Sequence, residues 1–296
     1  MNRNVLRVVG AVLVLGMLAV GCGSPAETVE PTAEAETGSS DEKILKIGVL
    51  GPYTNSPAVR IGAEMRNGVT MAFQEIDYQV GDYEIELVWV DSQSDPEKAT
   101  RAYEEAISRY GIQAGLGGWH SSVGVAVMDL VAKHEVPHFF DLATTDLITE
   151  KYRSDPEKFG YWVGKFWAGP SVAAGNFYVY ALEQEIEDGA WTPANGKRAC
   201  ICGEDNDWGR AFGAAIGTAL KEAGWEIVEE DYVTMGETDF MPMLTKWQAA
   251  NPDVIVMTDS PVSLSAWVKQ TQEIGFGENV VRIADALPYI GEWYEM

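Results

Sequence analysis

Residues 44–54 read ILKIGVLGPYT. Ile44 to Leu50 is a short apolar run that stops at Gly51-Pro52, the pattern of a buried strand closed by a turn. Working outward, Ala58 to Ile76 places Ile61, Met65, Val69, Ala72, Phe73 and Ile76 at helical spacing. Tyr83 to Val90 alternates, with Ile85, Leu87 and Trp89 on one side, as a strand does. Asp95-Pro96 then opens a helix running to Arg109, with an acid at the cap and proline in the first turn. A strand over Gln113–Leu116, a helix over Ser121–His134 and a strand over Val136–Phe140 follow. Regular alternation of strand and helix predicts a parallel sheet with helices on both faces.

A second series of the same kind begins after Gly160. Helices are expected over Ser171–Glu187, Trp208–Ala223, Phe240–Ala250 and Ser263–Ile274. Strands are expected over Arg198–Cys202, Glu226–Val233, Val254–Met257 and Val280–Ala284. The fold class is therefore α/β: two Rossmann-like lobes, residues 44–163 and 164–296, with the change of lobe between Gly160 and Gly169. In open α/β sheets ligands bind beyond the carboxyl ends of the strands, so the expected site is the cleft between the lobes.

The composition fits that reading. Of 296 residues, 46% are hydrophobic and 22% charged, which suits a globular protein and not a disordered or polytopic membrane chain. Acids outnumber bases 45 to 21, a net charge of −24, and such a surface repels phosphate backbones; no nucleic-acid partner is expected. Three cysteines do not build a disulfide scaffold, and three histidines leave little for a metal site.

Residues 1–21 read as a secretory signal. Arg3 and Arg7 precede an uncharged apolar run, Val8 to Val20, too short for an ordinary membrane span. It ends in Leu18-Ala19-Val20-Gly21-Cys22, which resembles a bacterial or archaeal lipobox, so Cys22 is the expected lipidation site and new N-terminus. An ordinary signal peptide with a chance cysteine is the alternative. Residues 22–43 hold Pro, Ser, Thr, Ala and Glu with almost no large apolar side chain, and read as a flexible tether. An acidic domain at an anionic membrane needs such a covalent anchor.

The loops after the strands carry the candidate site. In Gly117-Gly118-Trp119-His120-Ser121-Ser122 two glycines allow close backbone approach. Ser121 and Ser122 stand at a helix start, where free N–H groups attract a carboxylate; plain helix capping is the competing account. In Ala143-Thr144-Thr145, Thr145 offers a hydroxyl and an N–H, and Ala143 a carbonyl. Glu204-Asp205-Asn206-Asp207-Trp208 sets three acids and an indole at a helix start, able to meet an ammonium and its stem. Asp259 is a further candidate for the ammonium. Tyr53, Trp119 and Trp208 are expected as aromatic walls, whereas Trp162 and Trp167 are expected in the core.

Catalytic motifs are missing: no Gly-x-Ser-x-Gly elbow, Walker loop or Gly-x-Gly-x-x-Gly occurs. His120 beside Ser121 raises a serine-hydrolase reading, but sequence neighbours do not form a dyad by default. Pro137 keeps His134 and His138 off one continuous helical face, and Asp205, Asn206 and Asp207 lack the EF-hand spacing. Cys200 and Cys202 are expected as buried thiols. No cofactor and no metal are expected.

At this point the chain resembles the type I periplasmic binding proteins, the solute receptors of ABC transporters, in the branched-chain amino acid and amide (LivJ-like) group. The matching stretches are residues 44–54, GAEMRNGVTMAFQEID (62–77), DSQSDPEKA (91–99), residues 117–122, 143–146 and 205–210, and TDFMPMLTKWQAANP (238–252). The resemblance implies two lobes that close on a ligand as a hinged trap. It implies that Ser121 or Ser122 with Thr145 holds an α-carboxylate and that Ala143 accepts from the α-ammonium. Trp208 would pack on the ligand, and Asp259 would supply an acid. It implies an amino acid or amide-like ligand, ABC permease subunits as partners, and a place outside the cytoplasm, lipid-anchored through Cys22. His120 and the tryptophans depart from a simple leucine or valine pocket. Members of the family also run well beyond residue 296, so a C-terminally truncated chain, lacking the return to lobe 1, is expected. A ligand sensor for a membrane signalling partner is the alternative use of the same lobes.

Overall fold

The computed structural model describes residues 43–259, 261–276 and 279–284. The signal, Cys22, the tether up to residue 42 and the chain end from 285 lie outside the described residues.

The first lobe runs β1 (Lys43–Gly51), α1 (Val59–Gln74), β2 (Gln79–Val80), β3 (Tyr83–Asp91) and α2 (Pro96–Glu105). It continues with β4 (Ala114–Gly117), α3 (Ser121–His134), β5 (His138–Phe140), α4 (Asp146–Ser154), α5 (Pro156–Phe159) and β6 (Val163–Lys165). The sheet order is β2-β3-β1-β4-β5-β6, and every pairing is parallel except β2 with β3. The second lobe runs α6 (Pro170–Ala173), a wider-wound segment Ala174–Val179, α7 (Tyr180–Glu187), β7 (Arg198–Glu204), α8 (Asp207–Glu222) and β8 (Glu226–Val233). Then come α9 (Met241–Ala249), β9 (Val254–Thr258), α10 (Pro261–Glu273) and β10 (Val281–Ala284). Its four strands lie parallel in the order β10-β9-β7-β8, with β8 at the edge.

Each lobe reverses its strand order once, between β1 and β4 in the first and between β7 and β9 in the second. A crevice opens at such a reversal because the following helices leave to opposite faces. The loops after β1, β4, β7 and β9 are therefore the ones the topology gathers.

Local chemistry sets the element boundaries. Asp95 Oδ1 accepts from Lys98 N at 2.8 Å, with Pro96 opening α2. That bond holds the Asp95 carboxyl below the usual carboxylate range. The helical rod of α2 ends at Gly111 with φ +70°, which glycine adopts without strain. On one face of the first sheet, Leu50, Val90, Tyr103, Val123 and Val127 form a core under α2 and α3. Met128, Phe140, Ala143, Ile148 and Phe159 form another with α4 and α5. The second sheet is covered on both faces, around Ile201, Phe212 and Ile216 and around Leu244, Trp247, Ile255 and Trp267. Cys200 and Cys202 are buried free thiols in β7, and burial pushes the Cys200 thiol up to about 12.

Besides small shifts at element ends, the one helix expected over Ser171–Glu187 is broken by the wider-wound segment Ala174–Val179, and the structure differs from the sequence expectation at further places. β5 begins at His138 and not Val136. α4, α5 and the β2–β3 hairpin, which turns at Gly81-Asp82 with φ +57° at Gly81, are additional elements. β6 pairs with β5, so the first sheet extends to Lys165 and the expected lobe cut after residue 163 falls inside a strand. Trp167 is 49% exposed and is not a core residue, whereas Trp162 packs on the first lobe's core.

Candidate functional site

A cavity of about 500 Å³ opens between the lobes. Its first-lobe wall is Ile61, Glu64 and Met65 from α1, Trp119, His120 and Ser121 from the β4–α3 loop, and Leu142 and Thr144 from the β5–α4 loop. Trp167 and Ala168 join from the crossover between lobes. The second-lobe wall is Ala173, Phe177 and Tyr178, then Glu204, Asn206, Trp208 and Phe212 around the start of α8. α3 and α8 approach one another across this space.

The β4–α3 loop is shaped by Gly117 (φ +97°) and Gly118 (φ +112°), conformations that L side chains rarely adopt. A side chain on Gly117 would also meet the Leu50 backbone. Beneath the loop, fully buried His138 donates from Nε2 to the Gly117 carbonyl at 3.1 Å, and its Nδ1 takes the Tyr103 hydroxyl at 2.7 Å. The carbonyl can only accept, which fixes this tautomer. Burial holds the His138 imidazole down to about 4.

His120, not a serine, occupies the position before α3, and its side chain does not cap the helix. The helix thus presents its first-turn amides, and its positive dipole end, at the cavity. Ser121 Oγ turns to the next loop and accepts from Thr145 N at 3.2 Å, while Thr145 Oγ1 accepts from Leu147 N and caps α4. Lys165 Nζ donates to the Thr144 and Thr145 carbonyls at 2.7 and 2.9 Å. His120 Nδ1 and Nε2 and Thr144 Oγ1, in the same two loops, are buried without a hydrogen-bond partner. His120 therefore shares no hydrogen bond with Ser121, and a serine–histidine dyad is not formed. Desolvation holds the His120 imidazole down to about 4, so it is neutral at pH 7.

On the opposite wall Asn206 Oδ1 caps α8 through Gly209 N at 2.9 Å, and Asn206 Nδ2 donates to Glu204 Oε2 at 2.5 Å. Glu204 is buried at the end of β7. Trp208, Phe212 and Tyr178 form a ladder of rings with centroids 5.7 Å apart at each step. The wider winding of Ala174–Val179 carries Phe177 and Tyr178 to the cavity, as such bulges often do at functional sites.

Of the residues expected from sequence, Trp119, Ser121, Thr144 and Trp208 line the cavity. Five do not. Tyr53 turns back so that its hydroxyl donates to the Val49 carbonyl, with the Arg66 guanidinium 4.7 Å from its ring and from that of Trp89. Ser122 is the second residue of α3 and is not part of the lining. Ala143 packs its methyl into the core below Gly124. Thr145 is fully buried on its capping bonds, and Asp259 is fully buried at the end of β9. Glu64, Met65, His120, Phe177 and Tyr178 also line the cavity and are not among the contacts expected from sequence, whereas Glu204 belongs to the acidic loop expected to meet an ammonium. Of these only His120 carries a signal in the sequence, because it lies in a strand-end loop.

Among the described residues no group of three His, Cys, Asp or Glu side chains could hold a metal ion. No described helix is long and apolar enough to cross a membrane.

Comparison with known proteins agrees with this architecture. The family model described as "Periplasmic binding protein" matches residues 44–292. The chain is 23% identical over 207 residues to "Leu/Ile/Val-binding protein homolog 6" of Brucella abortus, covering 69% of this chain and 47% of that protein. Against "Leu/Ile/Val-binding protein BraC3" of Rhizobium johnstonii it is 24% identical over 213 residues, 71% of this chain and 53% of that one. The chain thus spans about half the length of the curated relatives it matches. The solute binding protein of an ABC transporter from Rhodopseudomonas palustris BisB5, solved with 3,4-dihydroxy benzoic acid, superposes with TM-score 0.70 at 19% identity. That match covers 85% of this chain and 66% of that one. An amino acid ABC transporter substrate-binding protein from Pseudomonas fluorescens Pf-5 also gives 0.70 at 19% identity, over 83% and 62%. The family match across nearly all of the described chain, joined to two parallel sheets that share a cavity at their points of strand reversal, means that the chain belongs to the periplasmic binding protein family.

Proposed function

We propose that this protein is the extracytoplasmic solute-binding component of an ABC importer, lipid-anchored through Cys22, and that it captures a small carboxylate-bearing solute by lobe closure. The observation that carries the reading is the cavity of about 500 Å³ between the two strand reversals, with the uncapped start of α3 in one wall. A helix start attracts a carboxylate, and the exchange of the Ser121–Thr145 bond for bonds to the solute would add two donors. Glu204 and Asn206 on the far wall suit an ammonium, so an amino acid or amide-like solute answers both poles. The permease partner follows from the family and from the named relatives.

A second reading, an aromatic carboxylate, is favoured by the ring ladder Trp208–Phe212–Tyr178 and by Trp119 and Trp167. Solved neighbours include complexes with hydroxybenzoates and benzoate. A calorimetric screen of amino acids, amides and benzoates separates the two. Ser121→Ala is expected to weaken either class by about tenfold or more, since a lost charge-assisted bond is worth ~1.5–3 kcal/mol. Glu204→Gln is expected to weaken an amino acid and spare a benzoate. Unchanged affinity in Ser121→Ala would remove the carboxylate pole.

A further inference from the structure

Six tryptophan, tyrosine and phenylalanine rings line the cavity among the described residues: Trp119 from the first lobe, Trp167 from the crossover, and Phe177, Tyr178, Trp208 and Phe212 from the second lobe. Trp167 and Phe177 are exposed and Trp119, Tyr178 and Trp208 half-buried, so ring surface is left for a solute to cover. The charged side chains of that lining are both acids, Glu64 and Glu204, and no described lysine or arginine belongs to it. Glu64 is exposed and pairs with Arg60 at 3.1 Å. Glu204 is buried at the end of β7, where low-dielectric surroundings extend the reach of its charge. Ring faces are negative, so the rings and the acids favour the same thing, a positive group.

The walls also discriminate between kinds of positive group. A primary ammonium carries three N–H donors, and each needs an acceptor once water is excluded. The side-chain acceptors of the walls are already engaged: Asn206 Oδ1 takes Gly209 N, Glu204 Oε2 takes Asn206 Nδ2, and Ser121 Oγ takes Thr145 N. A fully alkylated ammonium has no N–H to satisfy and is held by ring faces instead. We infer that the cavity receives the positive end of its solute as a quaternary ammonium, so that the solute class is an N-trimethylated amino carboxylate. The inference rests on the proposed capture of a carboxylate and names the other pole of the solute. It separates the chain from a receptor for leucine, isoleucine or valine, whose ammonium brings three donors.

The test compares N,N,N-trimethylglycine with its uncharged carbon isostere, 3,3-dimethylbutanoate, and with glycine. A longer set repeats the comparison: 4-(trimethylammonio)butanoate, 5,5-dimethylhexanoate and 4-aminobutanoate. Affinities are measured by titration calorimetry on the full chain. In at least one set the trimethylammonium member is expected to bind about tenfold or more tightly than both companions. Trp208→Leu keeps apolar contact but has no ring face. It is expected to weaken the trimethylammonium solute about threefold to thirtyfold and to leave the isostere and the urea midpoint little changed, and Trp208→Phe to recover part of the loss. Equal affinity for cation and isostere, or tighter binding of the primary amine, would overturn the inference and leave carboxylate capture standing. So would binding of ordinary amino acids or benzoates with neither trimethylammonium solute bound. A loss in Trp208→Leu that falls equally on cation and isostere would overturn it as well. No binding of any carboxylate, in these sets or among the amino acids and benzoates, would overturn carboxylate capture itself, and the inference with it.

Discussion

Gly209 lies in the first turn of α8, where that helix meets the end of β7. A methyl group there would sit 2.6 Å from Glu204 N and 2.8 Å from the Glu204 carbonyl carbon, and nearer still to the carbonyl oxygen. Ordinary contact starts at 3.4 Å, and all three obstacles are backbone, which cannot swing aside as a side chain does. Gly209→Ala must therefore drive the start of α8 away from β7 by an appreciable fraction of an ångström. Overpacking of this kind costs ~1–3 kcal/mol. For a chain of this size each kcal/mol lowers the melting temperature by about 2–4 °C. The displaced turn carries Asn206 and Trp208 and abuts Glu204, so solute affinity falls in the same variant. Gly217, two turns further along α8, is the internal control: a methyl there meets only Ile201 Cδ1, at 3.4 Å. Gly217→Ala gains helix propensity and is expected to be neutral or to stabilise by up to ~1 kcal/mol. Urea unfolding of both variants with solute titration is the assay. Unfolding midpoints that do not separate the two alanines would refute the argument that close backbone approach requires Gly209.

Phe139 and Phe140 are neighbours in β5, yet Phe140 is fully buried and Phe139 is 66% exposed. Phe140→Ala is expected to cost ~3–5 kcal/mol and Phe139→Ala under about 1 kcal/mol, read by urea midpoints at constant slope. Asp141 has a half-buried carboxyl pushed up to about 6 by desolvation. A raised folded-state value means stability present below the ordinary carboxylate value and lost as pH rises through 6. Asp141→Asn is thus expected to stabilise at pH 8 by on the order of 1–3 kcal/mol and to change little at pH 3.5. His138 runs the other way, since its folded value is depressed to about 4. Its contribution is complete above 6.5 and fades as pH falls through 4, so His138→Gln is expected to flatten the acid limb of the stability profile measured by urea titration.

The elements with a long periodic signal were legible in the sequence. α3 over Ser121–His134 and β8 over Glu226–Val233 have the bounds expected of them. What escaped had little to show. β6 is three residues, Val-Gly-Lys, and owes its pairing to β5. α4 buries only Ile148 and so has no apolar stripe. The wider winding at Ala174–Val179 has no sequence pattern of its own. For the site, strand-end loops were the right place to look, and Trp119, Ser121, Thr144 and Trp208 came from them. Which loop residues turn inward is decided by packing: Tyr53 is held back by Val49, Trp89 and Arg66, and Thr145 is taken up by its cap. Ile61, Met65, Phe177 and Tyr178 reach the cavity from the sides of helices, which only the tertiary arrangement reveals.

The second sheet's edge strand has a bearing on how the protein behaves in crowded solution. Among the described residues β8 pairs with β7 on one side only, and it carries Glu226, Glu229, Glu230 and Asp231 within eight residues. Arg198 and Lys246 neutralise part of that charge, leaving the strand net negative. Open backbone donors and acceptors on a free edge invite a strand from another molecule. Here two such edges brought together repel before they can bond, so colloidal stability is built into the sequence of the edge itself and weakens as salt shortens the reach of that repulsion.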